Sequence, residues 1–228
     1  MASLYDRASS LVRAVYDKRI DAPPILDVAA DFPNAAKFSA AWRDIRDEAI
    51  AVRLETSPRF HDIMPEQTDI SAHDGRDWRM FILKAYGVGV AENLARMPRL
   101  ARLLGACPEV KSAAVSFLAP HKHIPRHRGP FRGIMRFHLG LRMPKEATGR
   151  PATVMTIDGR EHRIGDGECL LWDDTYPHEV ANHADEPRVA LLLDVWRPHM
   201  PLDMEILSRL IVSVVKAGMR YRGVSYTG

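Results

Sequence analysis

Two of the ten histidines stand in sequence settings that suit metal chemistry. His127 lies just before Gly129-Pro130, and His178 follows a segment rich in aromatic and acidic residues that begins at Trp172. Histidine is a common metal ligand, although an isolated histidine is more often an ordinary hydrogen-bonded residue. We therefore take His127 and His178 as candidate metal ligands. Four histidines without such a setting are interpreted as structural or surface residues: His61, His73, His162 and His199.

A second group of polar residues lies on segments that resemble buried strands. Arg136 and His138 alternate onto one face of such a segment, Arg188 begins a very apolar one, and Ser116 lies on a further strand candidate. Since an unpaired buried charge is costly, these basic groups require partners. One partner would be a small dianion, because arginine's planar fork suits carboxylates. The alternative is a set of plain salt bridges to three nearby acids: Asp173, Asp174 and Asp194. Spacing alone does not decide between them.

The elements that would position these residues are short strands. Between Val110 and Pro198, apolar segments alternate with turn residues such as Asp158-Gly159, and no helix-length segment interrupts them. This pattern favours a sandwich or closed barrel over a parallel sheet with crossover helices. The predicted strands are Ala113–Leu118, Ile134–Arg142, Ala152–Ile157, Glu168–Trp172 and Val189–Trp196.

Helices are predicted on both sides of this region. Residues 1–75 read as an N-terminal helical cover, 76–200 as the β core, and 201–228 as a C-terminal amphipathic helix and tail. Within the core segment, Trp78–Tyr86 is a predicted strand and Val90–Leu104 a predicted helix ended by Gly105.

The C-terminal helix combines apolar residues at helical spacing with basic ones. Its apolar residues run from Ile206 to Met219, and its basic residues are Arg209, Lys216, Arg220 and Arg222. Packing on the barrel is the interpretation we favour. Peripheral contact with an anionic membrane surface is the alternative.

Composition excludes several classes of protein. The net charge of +3 does not indicate a nucleic-acid-binding face, and two distant cysteines without a metal-knot spacing suit a reducing compartment. We read no signal peptide and no bilayer-length apolar run. The expected location is therefore the cytoplasm, with a peripheral position at the inner face of the membrane as a variant.

The order of the motifs resembles that of the aspartyl/asparaginyl β-hydroxylase family, over roughly residues 78–198. The segments that carry the resemblance are Ser116-Phe-Leu-Ala-Pro, His127-Arg-Gly-Pro, Arg136-Phe-His138-Leu-Gly, Trp172-Asp-Asp-Thr-Tyr-Pro-His178 and Leu-Asp-Val-Trp-Arg-Pro198. The resemblance implies a double-stranded β-helix (jelly-roll, cupin-like) core with flanking helices. It also implies a dioxygenase that uses iron(II), 2-oxoglutarate and O2 to hydroxylate a C–H bond, releasing succinate and CO2.

The same resemblance assigns roles by position. His127 and His178 match the catalytic iron ligands, and Arg188 matches the clamp on the distal carboxylate of 2-oxoglutarate. Ser116, Arg136 and His138 match further cosubstrate contacts. For His121 and His123 we predict a rim or substrate-facing role.

One position departs from the wider superfamily. Many members carry a carboxylate two residues after the first histidine, where this chain has Gly129. The eukaryotic protein hydroxylases of the family also lack that carboxylate, whereas the bacterial branch that includes lipid A acyl-chain hydroxylases typically keeps an aspartate. The substrate thus stays open between an Asp or Asn side chain and a lipid acyl chain.

Other chemistries remain open. An empty ligand position also suits halide in place of the carboxylate. The histidine spacing further resembles cupin metal motifs, which would suit a cosubstrate-independent metalloenzyme, and a barrel that binds metal or a small acid without turnover is a third alternative. Arg136, His138 and Arg188 together favour the hydroxylase, since neither of the last two alternatives needs them all.

Overall fold

The computed structural model describes residues 4–52 and 57–222, with the side chains of residues 7–52 and 57–218. Helices occupy α1 Leu4–Asp17, α2 Val28–Asp31, α3 Ala35–Ala40, α4 Trp42–Ala51, α5 Phe60–Ile63, α6 Thr68–Ser71, α7 Ala91–Arg96, α8 Pro98–Gly105 and α9 Leu202–Arg222. Strands occupy β1 Trp78–Ala85, β2 Val88–Gly89, β3 Val110–Leu118, β4 His123–His127, β5 Ile134–Arg142, β6 Thr153–Ile157, β7 Arg160–His162, β8 Cys169–Trp172, β9 His178–Asn182 and β10 Arg188–Trp196.

Eight of the strands form a jelly roll. β6 pairs with β7 in a hairpin, and the pairs β5–β8, β4–β9 and β3–β10 close around it in turn, all antiparallel. This double ribbon is wound into two sheets, and β1 and β2 extend the larger one. The strand orders are β2-β1-β3-β10-β5-β8 and β4-β9-β6-β7. The predicted fold class is confirmed, since nested pairing of this kind defines a double-stranded β-helix.

The large sheet is buried on both faces, which explains the apolar sequence of β10. Leu191 and Leu193 point towards a cluster shared with the helices, whereas Leu192 packs in the smaller cluster between the two sheets. Alternation along the strand therefore sends neighbouring leucines into different cores. The inner cluster is small because polar side chains occupy much of the barrel interior.

The predicted strands are confirmed with small shifts of their ends. Four strands were not predicted, namely β2, β4, β7 and β9, because each has five residues or fewer and lacks a clear apolar pattern. The single helix predicted over Val90–Leu104 is wrong. It divides into α7 and α8 at Met97, because Pro98 disfavours helical geometry in the residue before it and is well suited to the first position of a new helix.

The C-terminal helix buries one face, which carries Met204, Ser208 and Val212; Met204 and Val212 belong to the core cluster that the helices share with the large sheet. The predicted helix also included Met219, Arg220 and Arg222, whose side chains lie outside the described ones. Within the described ranges, none of the helices has the length and apolar character that crossing a bilayer requires.

Candidate metal and cosubstrate site

The small sheet brings the two candidate metal ligands together. His127 ends β4, His178 begins β9, and the two residues are partners across that strand pair, with ring centroids 4.0 Å apart. In each ring Nδ1 lies within hydrogen-bond distance of a backbone carbonyl, that of Pro125 at 2.8 Å and that of Tyr176 at 2.9 Å. A carbonyl only accepts, so Nδ1 carries the proton and Nε2 keeps a free lone pair. This is the arrangement found for histidine ligands of metals.

Both histidines are held in the neutral form that a metal requires. Burial lowers the pKa of His127, and burial together with the neighbouring His127 ring lowers the pKa of His178 far below its ordinary value. Among the described residues, no third histidine, cysteine or acid joins them in a ready metal-binding group. The two Nε2 atoms could therefore hold a metal ion as a pair.

A carboxylate from the β8–β9 loop, that of Asp174, occupies the space beside Gly129. A Cβ atom on Gly129 would lie 2.1 Å from Oδ1 of Asp174, and the Gly129 N–H donates to the Asp174 carbonyl at 2.6 Å. Among the described residues, Oδ1 of Asp174 has no hydrogen-bond partner, and burial raises the pKa of this carboxyl to about 7. A side chain at position 129 would therefore have to displace the Asp174 carboxyl.

Arg188 is a buried cation without an acidic partner among the described residues. It is 2% exposed, its Nη1 donates to Oγ of Ser116 at 3.3 Å, and its Nε has no hydrogen-bond partner. Burial lowers its pKa to about 10. Ser116 also accepts a hydrogen bond from Trp78 Nε1 at 3.1 Å. With both bonds accepted, the Ser116 hydroxyl proton is free to be donated to an anion.

His138 also lies in the barrel interior, close to Arg188. It is buried on β5 with Nδ1 3.3 Å from the sulfur of Met155, and burial, followed by the charges of Arg188 and Arg136, keeps its pKa far below the ordinary value. A small inner cavity brings together the predicted residues of both kinds: Ser116, His127, Arg136, His138, His178 and Arg188.

Arg136 is paired with acids, while its role as a cosubstrate contact stays a prediction. Its Nε and Nη2 donate to Oδ1 of Asp194 at 3.0 and 2.8 Å, and Asp174 lies 3.4 Å away. Although burial disfavours the charged form, these carboxylates raise the pKa of Arg136. Arg136 and Asp194 are partners across the β5–β10 pair, so the salt-bridge alternative holds at this residue.

The rim or substrate-facing role of His121 and His123 stays a prediction, and both histidines pair with acids. His121 bonds to Asp185 at 2.8 Å on the surface, and His123 bonds to Glu179 at 3.2 Å. Neither belongs to the wall of a described cavity. Ile124 packs inside the barrel, so its neighbour His123 points outwards. A register shift between Ile124 and His127 then allows His127 to point inwards.

A larger cavity of about 540 Å³ opens beside the two histidines. Much of its wall is apolar: Phe60, Ile63, Met64, Ile70, Trp78, Met80, Ile82, Ala114 and Leu192. Several of these residues come from α5, α6 and the turn between them, which the sequence marked only as part of a helical cover. The sequence pattern of these helices does not show that their apolar residues line a cavity.

The fold and this interior define the class of the protein, a double-stranded β-helix with a histidine pair inside the barrel. The chain belongs to the aspartyl/asparaginyl β-hydroxylase family, whose model matches residues 39–198.

Individual relatives agree with the family. An ornithine lipid ester-linked acyl 2-hydroxylase of Rhizobium tropici is 35% identical over 77% of this chain and 61% of its own length. Human aspartyl/asparaginyl β-hydroxylase is 30% identical over 70% of this chain and 20% of its own. The chain thus spans less than two thirds of these relatives. Among solved structures, a cupin domain of a transcriptional regulator from Enterobacter cloacae gives a TM-score of 0.31 at 16% identity, covering 37% of this chain and 80% of that one.

Proposed function

We propose that the protein is an iron(II)- and 2-oxoglutarate-dependent hydroxylase. The observation that carries the proposal is Arg188, a buried arginine without an acidic partner among the described residues, in the same cavity as two neutral histidines. A dicarboxylate could bind with one carboxylate to a metal held by the two histidines. Its other carboxylate would then neutralise the charge of Arg188. A cupin-type metalloenzyme without cosubstrate would leave the buried charge of Arg188 unexplained.

The residues divide the work as follows. His127 and His178 would hold iron(II) through Nε2, and Arg188 with the Ser116 hydroxyl would bind the far carboxylate of 2-oxoglutarate. When bound, the iron and cosubstrate supply the oxidation: O2 is activated, 2-oxoglutarate leaves as succinate and CO2, and one oxygen atom enters a C–H bond. His138 and Trp172 close the interior and exclude water from the cosubstrate.

Asp174 is the group best placed to support the metal from outside its ligand set. Its unpartnered Oδ1 lies beside Gly129, in the cavity that His127 and His178 also line. A carboxylate in this position would accept a hydrogen bond from metal-bound water. Such outer partners typically alter metal affinity by about 10- to 100-fold.

A lipid acyl chain is the substrate that we favour. The apolar wall of the larger cavity suits an alkyl chain, and the rhizobial relative is named for hydroxylation of an acyl group. An Asp or Asn side chain of a polypeptide is the second candidate. It is favoured by Lys84, Arg126 and Arg128 in the same wall, since these cations suit a carboxylate, and by the human relative's name.

The test is an anaerobic titration of the protein with iron(II) and then 2-oxoglutarate, following the visible charge-transfer band of the chelate. We expect the band in the wild type and its loss in His127→Ala and His178→Ala. His183→Ala, which removes an exposed histidine just beyond β9, is the matched control and should keep the band. Metal binding without the band would favour the cupin alternative. Mass spectrometry of acyl lipids and of Asp-containing peptides after turnover then distinguishes the two substrates.

A further inference from the structure

The outer face of α9 carries a stripe of large apolar side chains that the fold does not use. Leu202, Ile206, Leu210 and Val214 follow each other at intervals of four residues and are 59–72% exposed. The opposite face, with Met204, Ser208 and Val212, already packs on the core. We call these four residues the α9 stripe. Scattered exposed apolar residues need no explanation, but an aligned row of four on one helix does.

Helix α1 lies beside α9 and also carries exposed apolar residues. The Tyr16 hydroxyl bonds to Ser208 Oγ at 2.6 Å and Arg19 bonds to Asp203 at 2.8 Å, so α1 runs antiparallel beside α9. Leu11 and Val15 of α1 are 71% and 39% exposed. They lie one to two turns before Arg19 and therefore at the level of the C-terminal half of the α9 stripe.

Cations border this apolar surface. Lys216 follows the stripe and reaches the β1–β2 turn, where its Nζ lies 3.2 Å from the position of a Cβ on Gly87. Lys111 and Arg209 both lie over the ring of Trp196, at 5.5 and 5.8 Å. We call Lys84, Lys111, Arg209 and Lys216 the basic cluster.

The members of the basic cluster are close enough to repel one another. After burial, the charge of Lys111 is the next cause that lowers the pKa of Lys84, and the charges of Lys216 and Arg209 lower that of Lys111. Two acids face the cluster. Glu205 pairs with Arg209, and Glu109 accepts a hydrogen bond from Asn34 at 2.6 Å. Four cations against two engaged acids leave the border of the stripe positively charged.

We propose that the α9 stripe and the basic cluster form a docking face for an anionic lipid bilayer. Apolar side chains on a helix flanked by lysine and arginine enter the boundary between headgroups and acyl chains, while the cations meet the lipid phosphates.

The position of the face relative to the larger cavity agrees with this occupant. Ser9 and Arg13 of α1 and Lys84 of the basic cluster all belong to the cavity wall. A bilayer seated on the face would thus lie beside the cavity rim. Delivery of an acyl chain from that bilayer rests on the proposed function, whereas docking itself does not.

The experiment measures sedimentation of the metal-free protein with vesicles, so it is independent of hydroxylase activity. One set of vesicles is phosphatidylcholine alone and the other contains about one third phosphatidylglycerol. We expect binding to the anionic vesicles that weakens as salt is raised. Ile206→Glu/Leu210→Glu should weaken binding at least about tenfold, since two apolar anchors become anions. Lys216→Gln should weaken it about fivefold, on anionic vesicles only.

The control variants make the same kinds of change, apolar to acidic and cationic to neutral, at exposed positions away from the proposed face. Ile50→Glu changes a 52% exposed isoleucine of α4, and Arg160→Gln changes an exposed cation of β7; both should bind as the wild type does. Circular dichroism verifies that each variant is folded. Wild-type protein that stays in solution with both vesicles would overturn the proposal, as would undiminished binding of the double variant. A dimer in light scattering that the double variant abolishes would overturn it too, by assigning the stripe to a second copy.

Discussion

The buried arginines of the barrel differ in how their charges are neutralised. Arg132 and Arg197 both reach Asp173, at 3.0 and 2.7 Å, and the half-buried Arg136 reaches Asp194. Among the described side chains, only the Ser116 hydroxyl bonds to Arg188. All four are arginines among apolar residues in the sequence, and the acid that each one meets depends on strand register, which the sequence does not display.

Replacing Arg188 should weaken 2-oxoglutarate binding without lowering the stability of the folded protein. We expect Arg188→Met to weaken 2-oxoglutarate binding by about 100-fold, because the distal carboxylate loses its charged partner. The free energy of unfolding without ligand should stay unchanged or rise by about 1 kcal/mol, since an unpaired buried charge is removed. Calorimetry and denaturant titration measure the two quantities.

The control for this change is Arg142→Met, which removes an exposed arginine from the end of β5 that pairs with Glu186. It should leave cosubstrate binding intact. A fall of several kcal/mol in the stability of metal-free Arg188→Met would mean that Arg188 is a structural residue.

Gly129 and Asp174 should be energetically coupled. Gly129→Ala places a methyl group 2.1 Å from the Asp174 carboxylate and should cost about 1–3 kcal/mol of stability. In an Asp174→Ala background the same change should cost at least about 1 kcal/mol less. A double-mutant cycle by urea denaturation measures the difference.

Gly105→Ala is the matched control, because a Cβ at this helix end would meet no atom within 4 Å. It should be neutral within about 0.5 kcal/mol. Equal costs of Gly129→Ala in both backgrounds would contradict the steric explanation for glycine at this position.

At the level of elements, the long central strands were predictable, whereas the two short strands that carry the histidine pair were not. β5 and β10 lie in the middle of the large sheet, so their buried side chains produce a clear apolar pattern. β4 and β9 carry three histidines, one proline and one glutamate in ten residues, so their apolar pattern is weak. The functional residues thus weaken the local signal that would have located their strands, and only the motif order suggested that His127 and His178 meet.

A connection between elements that the sequence did not reveal joins the loop before β1 to the start of β4. Lys122 is fully buried and donates to the Ser71 carbonyl at 2.7 Å and to Oδ1 of Asp74, whose Oδ2 accepts from the His123 N–H at 3.0 Å. Burial alone would raise the pKa of Asp74, but these hydrogen bonds outweigh it and lower the pKa to about 2.

This pair predicts a defined acid dependence. The folded-state pKa of Asp74 lies below its ordinary value near 3.8, so its stabilising contribution is present above about pH 4 and is lost as pH falls towards 2. Asp74→Asn should lower the free energy of unfolding by about 3 kcal/mol at neutral pH, because Lys122 loses its carboxylate partner. At about pH 2.5 the difference from the wild type should be smaller. Urea denaturation across this range measures both, and a deficit independent of pH would contradict the assignment.

At the scale of the whole molecule, the helices and the barrel share one core. The cluster on the outer face of the large sheet includes Tyr16 of α1, Phe38 of α3, Leu191 of β10 and Val212 of α9. Segments at both ends of the chain are therefore stabilised by the same burial of apolar surface.

The protein should consequently unfold in a single transition. Phe38→Ala, which truncates a fully buried ring in the helical part, should lower the free energy of unfolding by about 3 kcal/mol. Far-ultraviolet circular dichroism and tryptophan fluorescence should report the same shifted midpoint, because helices and barrel lose their common core together. Separate midpoints for the two signals would show that the helical part unfolds independently.

The nested order of the jelly-roll strands also determines when the site can exist during synthesis. The β6–β7 hairpin is local, whereas β4–β9 and β3–β10 join strands that are far apart in the chain, and such distant pairings form slowly. His127 therefore leaves the ribosome well before its partner strand does. The two candidate metal ligands stay apart until β9 has emerged and paired, so a growing chain could not hold a metal between them before most of its barrel has folded.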